Sequence, residues 1–325
     1  MARLNYETAD TLIYDPVASH RNATRSALYT LGFRNIETAP TLDAFNEIIW
    51  KSSPDLALCE AQGADAQLCE MIQNLRQGHS GHTNPFLVIM VTAWEKNHAL
   101  VSRVLNSGAD DLLLRPFSVN LLRTRIDTHV ERRKHFVITH DYVGPDRRSD
   151  PNRASTVAPF LPPNSLKMKA KDGLSMQETQ ARLSRELRIA KDTLNAEKLR
   201  RDAYQICILW RLLQEPDDPG NAMHLAKLAA MTQSVAKRCR MTEFEAAQEW
   251  CDSVQAAVEG LHFGVDRNAS MHLLGHAALS LNHLLQPDVS KADHLRNIEQ
   301  TVEMIRARAV GRSTADDPLL KATPA

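Results

Sequence analysis

The chain is predicted to be α/β at its start, with a doubly wound five-stranded parallel sheet, and all-α afterwards, opening there on a coiled-coil helix. Three observations lead to this. Over the first 130 residues, short apolar runs alternate with amphipathic stretches in five successive β-α units, the pattern of a parallel sheet covered by helices. The run from Phe86 to Val91 is continuously apolar, as a strand buried on both faces requires. From Ser175 to about Arg312 every strong pattern is helical, and only 5% of the residues are aromatic, which favours packing through Leu, Ala and Ile.

The elements follow in order. Leu12-Ile13-Tyr14 reads as a short first strand. His20 to Leu31 has helical spacing, with Ala23, Ala27, Leu28 and Leu31 on one face and Gly32 to close it. Ile36 to Thr38 is the second strand, and Leu42 to Trp50 the second helix, with Phe45, Ile48 and Ile49 inward. Pro54 opens a third strand over Asp55 to Cys59, followed by a helix over Gln67 to Leu75. After the Phe86 strand come a helix over Asn97 to Ser107 closed by Gly108, a strand over Asp111 to Leu114, and a helix over Val119 to Arg132. The first domain is bounded at 8–133.

Residues 134–174 read as a basic, mostly extended linker, with Pro145, Pro151, Pro159, Pro162 and Pro163 among Arg, Asp, Asn and Ser. Within it lies Asp141-Tyr142-Val143-Gly144-Pro145-Asp146-Arg147-Arg148. One reading is a basic linker turn. The other is a docking segment that lies back on the first domain, with Tyr142 as anchor and Arg147 and Arg148 as charge clamps.

A helical domain for output and dimerisation is expected over 175–312, and a disordered tail over 313–325. Ser175 with Glu178 forms a capping box. Leu183, Leu187, Ala190 and Leu194 follow a 4-3-4 spacing, a short coiled-coil seam and a candidate dimer contact, or else packing within one chain. Further helices are expected over Ala222 to Arg238, Thr242 to Val258 (with Thr242 and Glu245 as a second capping box), Ser270 to Leu285 and Lys291 to Ala309. Gly264 and Pro287 are the breakers.

Composition narrows the function classes. Lys plus Arg and Asp plus Glu are 39 each, so the balanced charge gives no global drive toward nucleic acid or an acidic membrane. No apolar run is long enough to span a bilayer, and Met1 to Glu7 lacks the apolar core of a signal peptide, so a cytoplasmic location is expected. Cys59, Cys69, Cys207, Cys239 and Cys251 are odd in number and show no CxxC spacing, which reads as reduced thiols.

The first domain resembles the receiver domain of two-component response regulators, from about Thr11 to Arg133. The phrases that carry the resemblance are Leu12-Ile13-Tyr14-Asp15-Pro16, Leu31-Gly32-Phe33, Pro54-Asp55-Leu56-Ala57-Leu58-Cys59-Glu60, Val88-Ile89-Met90-Val91-Thr92-Ala93 and Gly108 through Phe117. The resemblance implies a sheet of order 2-1-3-4-5 and a role in phosphorelay signalling. It also implies a histidine kinase or phosphotransfer protein as partner, and a contact surface around the fourth helix and fifth strand. It makes Asp15 the acidic-pocket residue, Glu60 the phosphoacceptor equivalent, and Thr92 and Arg115 the phosphate-contact equivalents. Leu112 falls at the switch position, where an aromatic is usual. Independently, Asp15, Glu60, Thr92 and Arg115 all fall at strand C-terminal ends, where open α/β sheets bind ligands.

The sequence departs from the receiver pattern at the chemistry itself. Pro16 stands where a second magnesium-binding carboxylate belongs, Glu60 replaces Asp, and Arg115 replaces Lys. The extra methylene of Glu moves its carboxylate by about 1.5 Å, which matters for in-line transfer. Asp15, Glu60 and the Gln62 carbonyl leave a reduced ligand set for Mg²⁺, so no cofactor is expected. The guanidinium of Arg115 suits a bidentate pair with Glu60. The reading is therefore a pseudo-receiver that works without phosphorylation, by protein–protein contact, and is not an enzyme. A working receiver that uses Glu60 or Asp15, and a merely plugged pocket, are the competing readings.

Other constellations carry less. His272, His276 and His283 have helical spacing without an HExxH motif or partnering carboxylates, and His272 to Ala278 only loosely follows a phosphotransfer helix. Lys237, Arg238 and Arg240 would suit a DNA-binding transcriptional regulator, but Glu243, Glu245 and Glu249 flank them. The expected partners are a signalling protein and a second copy of the chain, with neither membrane nor nucleic acid.

Overall fold

The computed structural model describes residues 4–78, 84–95, 97–139, 142–147, 159–215, 220–240, 242–264 and 266–315, the last eight as backbone only. It divides into two compact units, Met1–Leu194 and Asn195–Ala325.

In the first unit, β1 (Asp10–Tyr14), α1 (Ala18–Leu31), β2 (Asn35–Ala39), α2 (Leu42–Ser52), β3 (Leu56–Glu60), α3 (Asp65–Arg76), β4 (Val88–Ala93), α4 (His98–Ser107), β5 (Asp111–Leu114) and α5 (Val119–Glu131) follow one another. The sheet order is β2-β1-β3-β4-β5, and every pairing is parallel. Alternation along each strand sorts its side chains between two cores. Leu12, Tyr14, Ala57, Cys59, Ile89 and Val91 pack on one side, with residues of α2, α3 and α4. Ile13, Leu56, Leu58, Val88, Met90 and Leu113 pack on the other, with residues of α1 and α5. Burial on both faces is why β3 and β4 read as continuous apolar runs. Polar side chains cap the starts of α2, α4 and α5: Thr41 accepts from Ala44 N, Asn97 from Leu100 N and Ser118 from Leu121 N.

The segment expected as an extended linker is folded over much of its described length. Phe136–Ile138 (β6) and Val143–Pro145 (β7) form an antiparallel pair, and Ser165–Ala170 is a short helix, α6. Leu166 and Ala170 join the core shared with α1 and α5. Local composition misses this, because prolines are compatible with short edge strands when tertiary contacts hold the chain.

Helix α7 spans Met176–Leu212 and begins with the expected capping box: Ser175 Oγ accepts from Glu178 N, and Glu178 Oε2 accepts from Ser175 N. The candidate dimer seam needs correction. Ala190 and Leu194 are buried, and Leu187 half-buried, against Phe86, Phe136, Ile138, Val143 and Phe160. The 4-3-4 spacing serves packing within the chain and is not a free surface for a second copy.

The second unit holds the rest of α7 with α8 (Asn221–Cys239), α9 (Gln248–His262), α10 (Arg267–Leu285) and α11 (Lys291–Ala315). Its core includes Ile206, Cys207, Leu209, Leu228, Val254, Leu274, Leu281 and Ile298. The expected Thr242 capping box does not form. Thr242 Oγ1 accepts from Phe244 N and donates to Cys239 O, and a single 3₁₀ turn over Glu245–Ala247 leads into α9. Helix α11 extends past Ala309, into the expected tail; residues 316–325 lie outside the described residues. All five cysteines are free and buried.

Candidate functional site

The parallel arrangement brings the C-terminal ends of β1, β3, β4 and β5 to one edge. Asp15 follows β1, Glu60 ends β3 in register with Thr92 on β4, and Arg115 follows β5. The structure therefore brings together all four residues that the sequence singled out at strand ends.

Their geometry is closed. Arg115 Nε donates to Glu60 Oε2 at 2.7 Å, while Nη2 donates to Asp15 Oδ2 at 3.2 Å and to Thr24 Oγ1 at 3.1 Å. Thr92 Oγ1 donates to the same Glu60 Oε2 at 2.8 Å. The backbone takes the remaining carboxylate oxygens: Gln62 N donates to Glu60 Oε1 at 3.0 Å, and Val17 N to Asp15 Oδ1 at 2.9 Å. The expected bidentate Glu60–Arg115 pair is corrected here. The guanidinium splits its fork and bridges two carboxylates, because β1 and β3 are neighbours and present them side by side. Asp15, Glu60 and Thr92 are at most 1% exposed, and the Arg115 side chain 8%.

An aromatic collar covers the guanidinium. The rings of Phe117 and Trp94 lie 5.0 and 5.9 Å from its central carbon, and the ring of His20 packs tilted against Trp94 at 4.9 Å. A side cavity of about 270 Å³, lined by Gln62, Gly63, Asp65, Trp94, Glu95 and Asn97, opens beside the pocket. At its rim Arg103 pairs with Asp65.

These residues do not fit Mg²⁺. A hard divalent cation needs several oxygens free to coordinate it. Each carboxylate oxygen of Asp15 and Glu60 already accepts an N–H or O–H, and a cationic guanidinium lies between the two groups.

Sequence reasoning missed Thr24, Arg21 and the collar. Thr24 is 1% exposed, and Arg21 Nη1 donates to the main-chain carbonyl of Asp15 at 2.6 Å. The available signal was a polar residue one turn before Leu28 on the buried stripe of α1. Leu112 sits half-buried on β5 against the core shared with α3 and α4.

Tyr142 and Arg147 lie away from the pocket, by the turn that precedes β5. The Tyr142 hydroxyl donates to Pro145 O at 2.9 Å and accepts from Arg147 Nε at 3.3 Å, and Arg147 Nη2 donates to Ala109 O. Burial raises the pKa of the Tyr142 hydroxyl against the opposing charge of Arg147. Arg148 lies outside the described residues.

In the second unit, His276 packs on the ring of Trp250 and His283 lies edge-on to His294. Among the described residues no group of three or more His, Cys, Asp or Glu could hold a metal. Arg238 reaches Asp202 at 3.5 Å. Among the described residues no helix is long and apolar enough to cross a membrane.

No protein-family model and no curated protein matches the chain. Similar solved structures include the chemotaxis protein CheY4 of Vibrio cholerae, 19% identical over 37% of this chain and 98% of its own, with a TM-score of 0.33. A CheY-like response regulator receiver domain from Methanospirillum hungatei is 20% identical over 39% of this chain and 97% of its own, with a TM-score of 0.34. A signal receiver domain from Clostridium thermocellum is 16% identical over 38% and 99%, with a TM-score of 0.35. The strand order, the parallel pairing and the helices on both faces give the first unit the receiver fold, and the region after it is mostly helical.

Proposed function

We propose that the chain is a signalling protein whose receiver-fold unit works without phosphorylation and acts by protein–protein contact. One observation carries this reading: the Arg115 guanidinium already bridges Asp15 and Glu60. Phosphoryl transfer to a carboxylate needs a free nucleophilic oxygen in line with the phosphorus and a divalent cation to draw charge off the transferred group. Here the nucleophile position is tied down by Thr92 and Arg115, and a fixed monovalent cation stands among the carboxylates. The partner is of the histidine-kinase or phosphotransfer kind, and α4 with β5 is the contact surface. There Leu114 is 37% exposed and Leu112 half-buried, an apolar spot of the sort that anchors an interface.

The test is incubation of the full chain with acetyl phosphate and Mg²⁺, read by intact mass. Wild type should carry no phosphoryl adduct, while the triple variant Pro16→Asp, Glu60→Asp, Arg115→Lys should carry one. An adduct on wild type that disappears in Glu60→Ala overturns the reading.

A further inference from the structure

The motif around Tyr142 has no part in the pocket, yet it is built into the opposite edge of the sheet with unusual closeness. Gly144 lies so near Gly108 that a Cβ on Gly144 would meet Gly108 Cα at 2.7 Å, and a Cβ on Gly108 would meet Val143 O at 2.4 Å. Arg147 holds the carbonyl of Ala109, and Arg76 Nε holds that of Gly108 at 2.9 Å. Arg76 Nη2 and Arg133 Nε then close on the Asp110 carboxylate at 2.8 and 2.9 Å. Residues 108–110 are thus gripped one after another, immediately before β5 begins.

The lead-in to β4 is held in the same way. Arg133 Nη1 donates to Phe86 O at 2.6 Å, Arg76 Nη1 to Leu87 O at 2.8 Å, and Ile89 N to Asp110 Oδ2 at 2.9 Å. Both guanidinium groups stack on Phe136 of β6, at 5.3 and 5.0 Å. Phe86, Phe136 and Phe160 meet edge to face, and Ala190 and Leu194 of α7 pack on this aromatic group.

The two strands that carry Thr92 and Arg115 into the pocket therefore begin in one sealed assembly that also seats α7. A strand pair of about five residues spans roughly 17 Å. Both strands are short and laddered to their neighbours, so a displacement at one end is carried to the other and not absorbed by bending.

We propose that β6, β7 and their flanking residues form a clasp that couples the pocket to the first half of α7 through β4 and β5, making α7 the read-out lever of the receiver-fold unit. The clasp explains why the segment needs Gly144, Tyr142 and Arg147 together: close approach, a hydroxyl relay and a carbonyl anchor. It needs no particular chemistry in the pocket, so it stands or falls separately from the phosphorylation-independent reading. Any event that moves Arg115, such as a partner pressing on the collar, reaches α7 by this route.

The test is a thermodynamic cycle read by hydrogen exchange on the full chain. The four proteins are wild type, Glu60→Gln in the pocket, Arg147→Ala in the clasp, and the double variant. Glu60→Gln should speed exchange at least ~3-fold in residues 187–194 as well as in β4 and β5, and Arg147→Ala should do the same in residues 111–117. The double variant should fall short of the product of the two single factors. Pocket effects that stop at β4 and β5, or factors that multiply independently, overturn the proposal. Tyr142→Phe removes one hydroxyl with little risk to folding, and it should reproduce the Arg147→Ala pattern at smaller size; no effect of Tyr142→Phe on residues 111–117 also counts against the clasp.

Discussion

The two edges of the five-stranded sheet meet the same problem, carboxylates buried at strand ends, and solve it differently. At the N-terminal edge Lys169 joins Asp10 and Asp55 at 2.7 Å each, and Arg76 and Arg133 enclose Asp110. Each of these acids has a cation against it, and the remaining donors of Arg76 and Arg133 are taken by carbonyls. At the C-terminal edge Arg115 bridges Asp15 and Glu60, while Arg21 donates to the Asp15 carbonyl. The first edge is closed over Asp55 and Asp110, with Asp10 part-exposed at its margin. At the second, one guanidinium bridges two carboxylates beside an open cavity. A buried ion that is fully matched defines a structure, whereas one that is partly matched beside solvent leaves room for regulation.

Acid sharpens the contrast at the sealed edge. Burial alone would raise the Asp110 carboxyl, but the charges of Arg133 and Arg76 outweigh it and hold it below its usual 3.8. A lowered folded-state pKa contributes stability that is full above the unfolded value and lost as pH falls through the folded one, so this contribution fades only below about pH 4.

The largest expected effect is at this edge. Arg76→Met leaves Asp110 half-matched and the Gly108 and Pro85 carbonyls without their side-chain donor, and should cost about 3–5 kcal/mol, read as a lower urea midpoint at unchanged slope. A cost under 1 kcal/mol would mean that water replaces the guanidinium and that the edge is not sealed.

Arg115→Met at the other edge should cost less, about 2 kcal/mol, since its side chain is the more exposed and water can reach the carboxylates. Equal losses for Arg76→Met and Arg115→Met in parallel urea titrations would erase the distinction between the edges.

The second unit offers the opposite sign. Burial, reinforced by the charge of Arg238 and only partly offset by Asp202, lowers the pKa of Lys198 to about 8. Between about pH 8 and 10.5 the unfolded chain therefore binds more protons than the folded one, and wild-type stability climbs as pH rises through that window. Lys198→Met should gain about 1–2 kcal/mol at pH 7 and flatten the climb, as measured by denaturation at pH 7 and pH 10. The smallest effect belongs to the exposed Arg103–Asp65 pair at the cavity rim, where Arg103→Ala should change stability by no more than about 0.5 kcal/mol.

Much of the first unit was legible in the chain itself. All five strands were legible within two residues at each end; β3 and β4 gave the clearest signal, because strands buried on both faces leave an uninterrupted apolar run. Asp15, Glu60, Thr92 and Arg115 were legible as site candidates because a parallel sheet sends every strand's C-terminal end to one edge. The split fork of Arg115 was not, since sequence gives a residue's place along its own strand and not which neighbour its donors face across the sheet. Leu187, Ala190 and Leu194 show the same limit: a 4-3-4 spacing says that a helix has an apolar stripe, and says nothing of what covers it.

By itself, then, the sequence determined the alternation of strands and helices and the sheet edge at which Asp15, Glu60, Thr92 and Arg115 gather, because these follow from short-range periodicity and from residue position at strand ends. Only the tertiary structure decided that Phe136–Ile138, Val143–Pro145 and Ser165–Ala170 fold with the first unit, that Lys169 neutralises Asp10 and Asp55 from across more than a hundred residues, and that Gly144 must meet Gly108. The physical reason is that charge matching and close approach are properties of pairs distant along the chain, and composition within a window carries no record of the partner.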